Sequence, residues 1–460
     1  MDKVTCIVVG AGPAGSACAL ALAQKGIETV LFERGRVPGE KNVSSFVLYT
    51  AELKRLIPDF RKDLPVERTV VRTDQVLLEQ HDAKALKSYN YRWVDDPLAF
   101  TAFRRRFDAW FAKKAVDAGV QLMSGMKVTD LIKDGDRVVG VSVGGEELYA
   151  DVVVGADGFH SIVGEKTGLV KSWKPERCLL AVKEVLDLPS HVINERFQLT
   201  DGIACEQGIY CYHINDLDVF SATLYTNMDS VSLAVFARLD ELQKKNIQLH
   251  GELDRLKQHS YLDSLIKGAT LREYQAHILA DGGRVKPKSL YGNGVLLCGE
   301  AGGITATETG MGVPTCILSG MMAAETIEDA VKKQDFSRRS LKNYLKYLDS
   351  TALLDMVHKS RKESDYYASA ARSEGPREME AAADIYNQYW EKDVTYLSKS
   401  SFSIMVEFYL RIGQYRVPGL LRWPLTALVK LSRFPVRLVE AIKKRLRKRY
   451  YEWKNQPVNR

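Results

Sequence analysis

The stretch Val4-Thr-Cys-Ile-Val-Val9-Gly10-Ala-Gly12-Pro13-Ala14-Gly15, continued by Ser16 to Lys25 and Gly26, decides the fold. A short β-branched apolar run ends in closely spaced glycines, and a run of small, helix-compatible residues follows until a glycine stops it. The order is strand, tight turn, helix. Each glycine has its own mechanical role. Gly10 makes the turn, Gly12 lets the backbone approach a pyrophosphate, and Gly15 lets the helix pack closely on the sheet with its N-terminus toward the phosphates. A second run, Glu28 to Phe32, delivers Glu33 eighteen residues after Gly15, where a carboxylate accepts hydrogen bonds from a ribose hydroxyl and disfavours a 2′-phosphate. Pro13, Ala14 and Arg34 border these positions and are further candidate contacts. The fingerprint alone leaves the choice between FAD and NAD open.

The rest of the chain bounds what can surround such a site. Its 460 residues exceed a single ordinary core and suggest two or three cooperating domains. With 45% hydrophobic and 27% charged residues, and no run of about eighteen apolar residues, nothing predicts a bilayer-spanning helix. The opening residues carry no signal-peptide pattern, so the expected location is cytoplasmic. Seven cysteines (Cys6, Cys18, Cys178, Cys205, Cys211, Cys298, Cys316) are scattered without a C-x-x-C pair, as reduced core thiols are. None follows Cys316, so the last third of the chain cannot ligate an iron–sulfur cluster through cysteine. No metal-ligand spacing stands out among the eight histidines, and no metal site is expected.

Three later segments resemble FAD enzymes of the aromatic-hydroxylase-like group. Ala150-Asp-Val-Val-Val-Gly-Ala-Asp157-Gly158 ends a buried strand, after paired strands around Asp134-Gly135, and is similar to the Asp-Gly motif that closes the first nucleotide-binding domain there. The resemblance implies that Asp157 and Gly158 approach the ribityl and pyrophosphate region; the bland alternative is a surface β-turn. Gly294-Val-Leu-Leu-Cys-Gly299-Glu300-Ala-Gly-Gly resembles the Gly-Asp-Ala-Ala-Gly segment that binds the ribityl chain, with Glu300 where the pattern has Asp. Thr309-Gly310-Met311-Gly312-Val313 leads into a helix whose N-terminal amides would face the flavin pyrimidine edge and favour negative charge there. Arg104, in Arg104-Arg-Arg-Phe107-Asp108, matches the group's Arg-x-x-Phe-Asp helix start near the FAD phosphates; a solvated basic helix end is the alternative.

Taken together, the chain resembles the geranylgeranyl-reductase-like flavoproteins, and within them the FixC-type branch of the electron-transfer-flavoprotein:quinone oxidoreductase family, over about residues 3 to 330. The specific pieces are Pro38-Gly-Glu-Lys41-Asn42-Val43, Leu56-Ile-Pro58 with Pro65-Val-Glu-Arg68, Ala181-Val-Lys183-Glu184-Val185, Leu224-Tyr225-Thr226-Asn227 with Ser230-Val-Ser232-Leu233, and Glu273-Tyr274-Gln-Ala-His277. Lys41 and Asn42 join the candidate FAD contacts on this ground. The chain departs from the family at Ser44-Ser45-Phe46, where glycines near the isoalloxazine ring are usual.

The resemblance implies an α/β protein with a Rossmann-like FAD-binding domain (1–70, 100–172 and 285–330) and an antiparallel-sheet substrate or quinone-side domain (71–99 and 173–284); beyond it the residues themselves read as a helical region (331–432) and a basic amphipathic tail (433–460). It implies an FAD-dependent oxidoreductase that takes electrons from reduced electron-transfer flavoprotein and passes them toward a membrane quinone. Larger members carry an iron–sulfur domain; the FixC branch uses a separate ferredoxin-like subunit, which the missing cysteines make the expected partner here. The flavin carries the chemistry, and His277 is the one side-chain candidate beside it, a structural histidine being equally compatible.

Charge is concentrated at the end. Residues 433 to 460 hold ten Lys or Arg against Glu440 and Glu452, a local +8 in a chain whose net charge is +7. Val436, Val439, Ile442 and Leu446 recur at helical spacing beside this cationic face, after an apolar Val417 to Leu425 with Trp423. That pattern suits peripheral attachment to an anionic membrane surface. It suits an acidic partner or a merely solvated tail as well, and no nucleic acid is expected. Competing readings of the activity are a prenyl-lipid reductase, a flavin monooxygenase, and a flavin relay or docking subunit without independent turnover.

Overall fold

The computed structural model describes residues 3–42, 45–78, 80, 83–171, 174–212, 219–280, 290–306 and 311–358. Gly310, most of the expected helical region and the whole of the basic tail lie outside the described residues. In chain order the elements are β1 (Lys3–Val9), α1 (Pro13–Gln24), β2 (Thr29–Glu33), β3 (Ser45–Tyr49), α2 (Ala51–Leu56), β4 (Val66–Leu78), β5 (Ala83–Tyr89), α3 (Arg92–Asp95), β6 (Ala99–Phe103) and α4 (Arg104–Asp117). They continue with β7 (Gln121–Ser124), β8 (Val128–Asp134), β9 (Arg137–Val143), β10 (Glu146–Gly155), α5 (Ile162–Thr167), β11 (Cys178–Asp187), α6 (Ser190–Phe197), β12 (Ile203–Tyr212), β13 (Val219–Thr226) and β14 (Ser230–Arg238). Last come α7 (Leu239–Lys245), α8 (Leu249–Lys257), α9 (Ser260–Ile266), β15 (Thr270–Ala280), β16 (Tyr291–Gly292), β17 (Val295–Leu297), α10 (Gly312–Lys333), α11 (Arg338–Leu341) and α12 (Asn343–Ser350).

The continuous apolar runs of β1, β2 and β10 bury both strand faces, which is the requirement of a parallel sheet covered on each side. Accordingly β17, β10, β1, β2 and β7 lie side by side and parallel, with β16 and the β8–β9 hairpin added antiparallel. The register pairs Val9 with both Gly155 and Phe32, and Gly155 with Leu297. Four motif-bearing turns therefore leave one edge of one sheet, the carboxyl edge, where α/β folds bind ligands.

The second sheet runs β15-β11-β14-β13-β12-β4-β6-β3, with β5 on β4. It is antiparallel except where β12 meets β4 in parallel, so it is mixed rather than purely antiparallel. Strands β3 and β6, which follow the 38–42 segment and precede Arg104 in sequence, pair at one end of this sheet. Between β14 and β15 the chain forms three helices, α7 to α9, inside the stretch expected only as part of an antiparallel-sheet domain. Leu249, Leu253 and Leu256 recur at helical spacing on α8 and bury against Val182, Leu224, Leu233 and Val235 on one sheet face. The opposite face, one residue out of phase, carries Lys183, Glu206, Tyr225 and Ser232.

Two buried arginines tie the second sheet to its helices. Arg68, 1% exposed, donates to Asn194 Oδ1 at 2.6 Å, Ser190 Oγ at 2.7 Å and the carbonyls of Ile203 and Met228. Arg72 and Asp74 form a buried two-point pair at 2.8 and 2.5 Å, and Gln207 Nε2 donates to the same Asp74 carboxylate at 2.9 Å. Asp74→Ala leaves the guanidinium buried without its partner and should destabilise the chain by about 3–5 kcal/mol. Urea unfolding measures this, and a loss below about 1 kcal/mol would show that the pair is dispensable.

Candidate active site

The glycine turn is held by backbone contact. Gly10 has a φ of +103°, and a Cβ added there would lie 2.5 Å from the Ala156 carbonyl oxygen. One added at Gly15 would lie 1.8 Å from the Gly10 carbonyl oxygen. Neither position tolerates a side chain. Gly12 is the opposite case: its φ of −76° suits any residue, and among the described residues no atom beyond its chain neighbours lies within 4 Å of an added Cβ. The space above Gly12 is an open cradle at the N-terminus of α1, whose Gly12 cap supplies no side-chain acceptor, whose Pro13 brings no N–H, and whose Ala14 is buried.

Glu33 stands at the end of β2, one strand away. Its Oε2 accepts the Ala11 amide at 3.0 Å and its Oε1 accepts the Gly35 amide at 2.7 Å. This pins the carboxylate beside the turn with further lone pairs open to a ribose hydroxyl. Arg34 next to it is exposed, as is Lys41. Asn42, half-buried, donates from Nδ2 to Asp108 Oδ2 at 3.1 Å.

The structure gives Arg104 a partner that sequence reading did not. Its guanidinium binds Asp108, one turn along α4, at 2.9 and 2.7 Å, and stacks 5.7 Å from the Phe46 ring. Asp108 is fully buried and also holds Asn42, so the 38–42 segment and the head of α4 form one polar cluster. The four-residue spacing of Arg104 and Asp108 on a helix was the available signal.

Asp157 and Glu300 leave the carboxyl ends of β10 and β17. Asp157 Oδ2 accepts the Val163 amide at 3.0 Å and so caps α5, while Oδ1 is buried without a hydrogen-bond partner among the described residues. Desolvation pushes this carboxyl up to about 6, against the lowering effect of its backbone donors. Glu300 Oε1 accepts the Ala280 amide at 2.9 Å, at the end of β15, and burial raises its pKa while that amide and Arg104 oppose the shift. The longer Glu side chain thus reaches the second sheet. Gly158 and Gly299 start the short turns that carry both acids, and Met311, buried, caps the 22-residue α10 that begins at Gly312.

His277 lies on β15 opposite Ala181 of β11, on the face that carries Lys183. Burial first, then the nearby Arg104, brings it down to about 4, so it is neutral at physiological pH. Farther along that face Glu206 accepts the Tyr49 hydroxyl at 2.7 Å and is pushed up to about 7 by burial. Six thiols are buried and Cys316 is half-buried, its thiol raised to about 12 by burial, which disfavours the reactive thiolate. Among the described residues no group of three His, Cys, Asp or Glu could hold a metal. These surroundings fit FAD: an open cradle at Gly12, an anchored Glu33, and a buried acid oxygen of Asp157 that lacks a donor.

The site and fold define a class, the FAD-dependent oxidoreductases, and the family model described as "FAD dependent oxidoreductase" matches residues 5–159. Protein FixC of Escherichia coli O157:H7 is 35% identical over 360 residues, covering 77% of this chain and 83% of that protein. The probable electron transfer flavoprotein-quinone oxidoreductase YdiS of Escherichia coli K12 is 35% identical over 362 residues, 78% and 84% of the two chains. The chain belongs to the FixC branch of the electron-transfer-flavoprotein:quinone oxidoreductase family. A crystal structure of a geranylgeranyl bacteriochlorophyll reductase-like protein from Thermoplasma acidophilum shares the fold, with a TM-score of 0.65 at 17% identity over 96% of this chain and 99% of that one.

The two glycine environments separate binding from folding. Gly12→Val should leave the unfolding midpoint of the FAD-free chain unchanged while weakening FAD binding by at least about a hundredfold, an obstruction worth about 2.7 kcal/mol. Gly15→Val should instead abolish soluble folded protein. Calorimetric titration with FAD and thermal melts read the two effects, and FAD binding by Gly12→Val at native strength would show that the cradle lies elsewhere.

Proposed function

We propose that this chain takes electrons from reduced electron-transfer flavoprotein and passes them toward a membrane quinone, working with a separate ferredoxin-like iron–sulfur subunit. The observation that carries this reading is the 35% identity to FixC and to the probable electron transfer flavoprotein-quinone oxidoreductase YdiS over more than four-fifths of their lengths. Bound FAD supplies the exchange of electrons. The protein's part is to hold it, exclude water and set the charge around it.

In this reading Gly10, Gly12, Pro13, Ala14 and Gly15 receive the pyrophosphate, and Glu33 with Arg34 borders the adenosine ribose. Asp157, Gly158, Gly299 and Glu300 follow the ribityl chain, and Gly310, Met311 and Gly312 meet the flavin. Lys41, Asn42 and Arg104 close the segment between them, Arg104 acting through its pair with Asp108. The flavin would then lie where β3 meets the polar face of the second sheet. The domains divide as 1–70, 100–172 and 285–330 for FAD, and 71–99 and 173–284 for the quinone side, followed by the helical region 331–432. The tail at 433–460 binds the cytoplasmic membrane surface peripherally. No described helix is long and apolar enough to cross a membrane.

The test is steady-state electron flow from reduced electron-transfer flavoprotein to a quinone analogue on anionic liposomes, with and without a ferredoxin-like subunit. Quinone reduction that requires the added subunit is expected, and deletion of 433–460 should cut the rate at least about tenfold while leaving reduction of a soluble dye intact. Full quinone reduction by the chain without that subunit would remove the partner from the account. Undiminished liposome binding by the deleted chain would remove the tail.

A further inference from the structure

Where β3 enters the second sheet, an amine-bearing side chain is buried with no counter-ion among the described residues. Lys183 is 8% exposed. Its Nζ donates to the Ser45 carbonyl at 2.5 Å and to the Tyr225 hydroxyl, which itself donates to the same carbonyl at 2.5 Å. Ser45 Oγ continues the cluster to Ser232 Oγ at 2.6 Å, which also accepts from Asn227 at 3.0 Å. Among the described residues no carboxylate lies within ion-pair distance of Lys183. A buried amine that meets only neutral acceptors keeps its proton poorly, because desolvation penalises the charged form and nothing repays it.

The groups that face it confirm the imbalance. Burial lowers it most, Arg104 of α4 repels it in the same direction, and the attraction of Glu273 of β15 opposes them without offsetting them, so the amine is brought down to about 7. Tyr225 is itself raised by burial and stays a neutral phenol. Glu206, bound to Tyr49, titrates near neutrality, and His277 is neutral. Ser45 is also one of the residues by which this chain departs from the glycine-rich stretch usual in its family, and its carbonyl is the acceptor on which the cluster converges.

We propose that Lys183 is the charge-compensating residue of the flavin site: it takes up a proton when the bound cofactor is reduced and releases it on reoxidation. The inference rests on the flavin lying at the junction of β3 and the second sheet. Two electrons that enter with one proton on the cofactor leave one negative charge. Lys183 takes the second proton from solvent, so two electrons and two protons enter together, and both protons leave when an acceptor removes the electrons. The nearby negative charge supplies the counter-ion that the protein withholds.

The test is a potentiometric titration of the FAD-loaded full chain against pH, using redox mediators and neither protein partner nor quinone. Each proton taken up with two electrons contributes about 30 mV per pH unit. Across about pH 8 to 9, where the amine of the oxidised protein is mostly neutral, the wild type should take up two protons, a slope of about 60 mV per pH unit, and Lys183→Met one, a slope of about 30 mV per pH unit. A one-proton slope in the wild type overturns the proposal, as does a two-proton slope in Lys183→Met. Should Lys183→Met not retain FAD, Lys183→Arg provides the comparison, because a guanidinium that stays charged also gives the one-proton slope. Failure of the proposed electron-transfer partners would leave this titration untouched, so the two claims fall separately.

Discussion

The close approach of α1 to the first sheet is the constraint on which the rest depends. Gly15 sits so near the Gly10 carbonyl that a single added carbon would overlap it, and Gly10 in turn abuts the Ala156 carbonyl at the end of β10. The turn after β1 and the turn after β10 are thereby locked together by backbone contact. Because β2 and β17 share their register with these strands, Glu33 and Glu300 are carried to the same edge. A shift in this contact would move every candidate FAD residue of the first sheet together.

A second constraint is the division of the other sheet into two unlike faces. One face packs leucines and valines against α6 to α9, and the other places Lys183, Glu206, Tyr225 and His277 toward β3. Burial moves the acids up and the bases down, so this face carries less charge than its composition suggests. Such a surface suits a protein whose cofactor gains and loses charge, since the groups around it can change protonation at neutral pH. Glu300 links the two regions by reaching from the first sheet to the Ala280 amide on β15.

Much of this was legible in the sequence wherever the information is local. The strand–turn–helix around Gly10, the acid at Glu33, the Asp157-Gly158 turn and the Gly299-Glu300 turn each announce themselves within a dozen residues, and the likeness to FAD enzymes rested on them, while the narrower family resemblance rested on pieces such as Pro38 to Val43 and Ala181 to Val185. The cluster at Lys183 did not announce itself as a unit, because its members come from β3, β11, β13 and β14 and meet only through strand register. The Tyr49–Glu206 bond spans 157 residues of sequence, and no periodicity points to it. Arg104 was legible as a candidate FAD contact, but its partner Asp108 decides where the guanidinium sits. The helices α7 to α9 were not legible because their amphipathic runs are short, seven to nine residues each, and lie between strong strand signals.

The most direct measurement is a single-turnover choice of electron donor. The oxidised, FAD-loaded chain is mixed anaerobically with one equivalent of reduced electron-transfer flavoprotein or, in a parallel run, with NADH or NADPH, and the flavin absorbance is followed. The account predicts rapid bleaching by the flavoprotein and none by the nicotinamides. A flavin that ignores the flavoprotein but is bleached by NADH or NADPH would contradict it and identify a hydride-accepting enzyme instead.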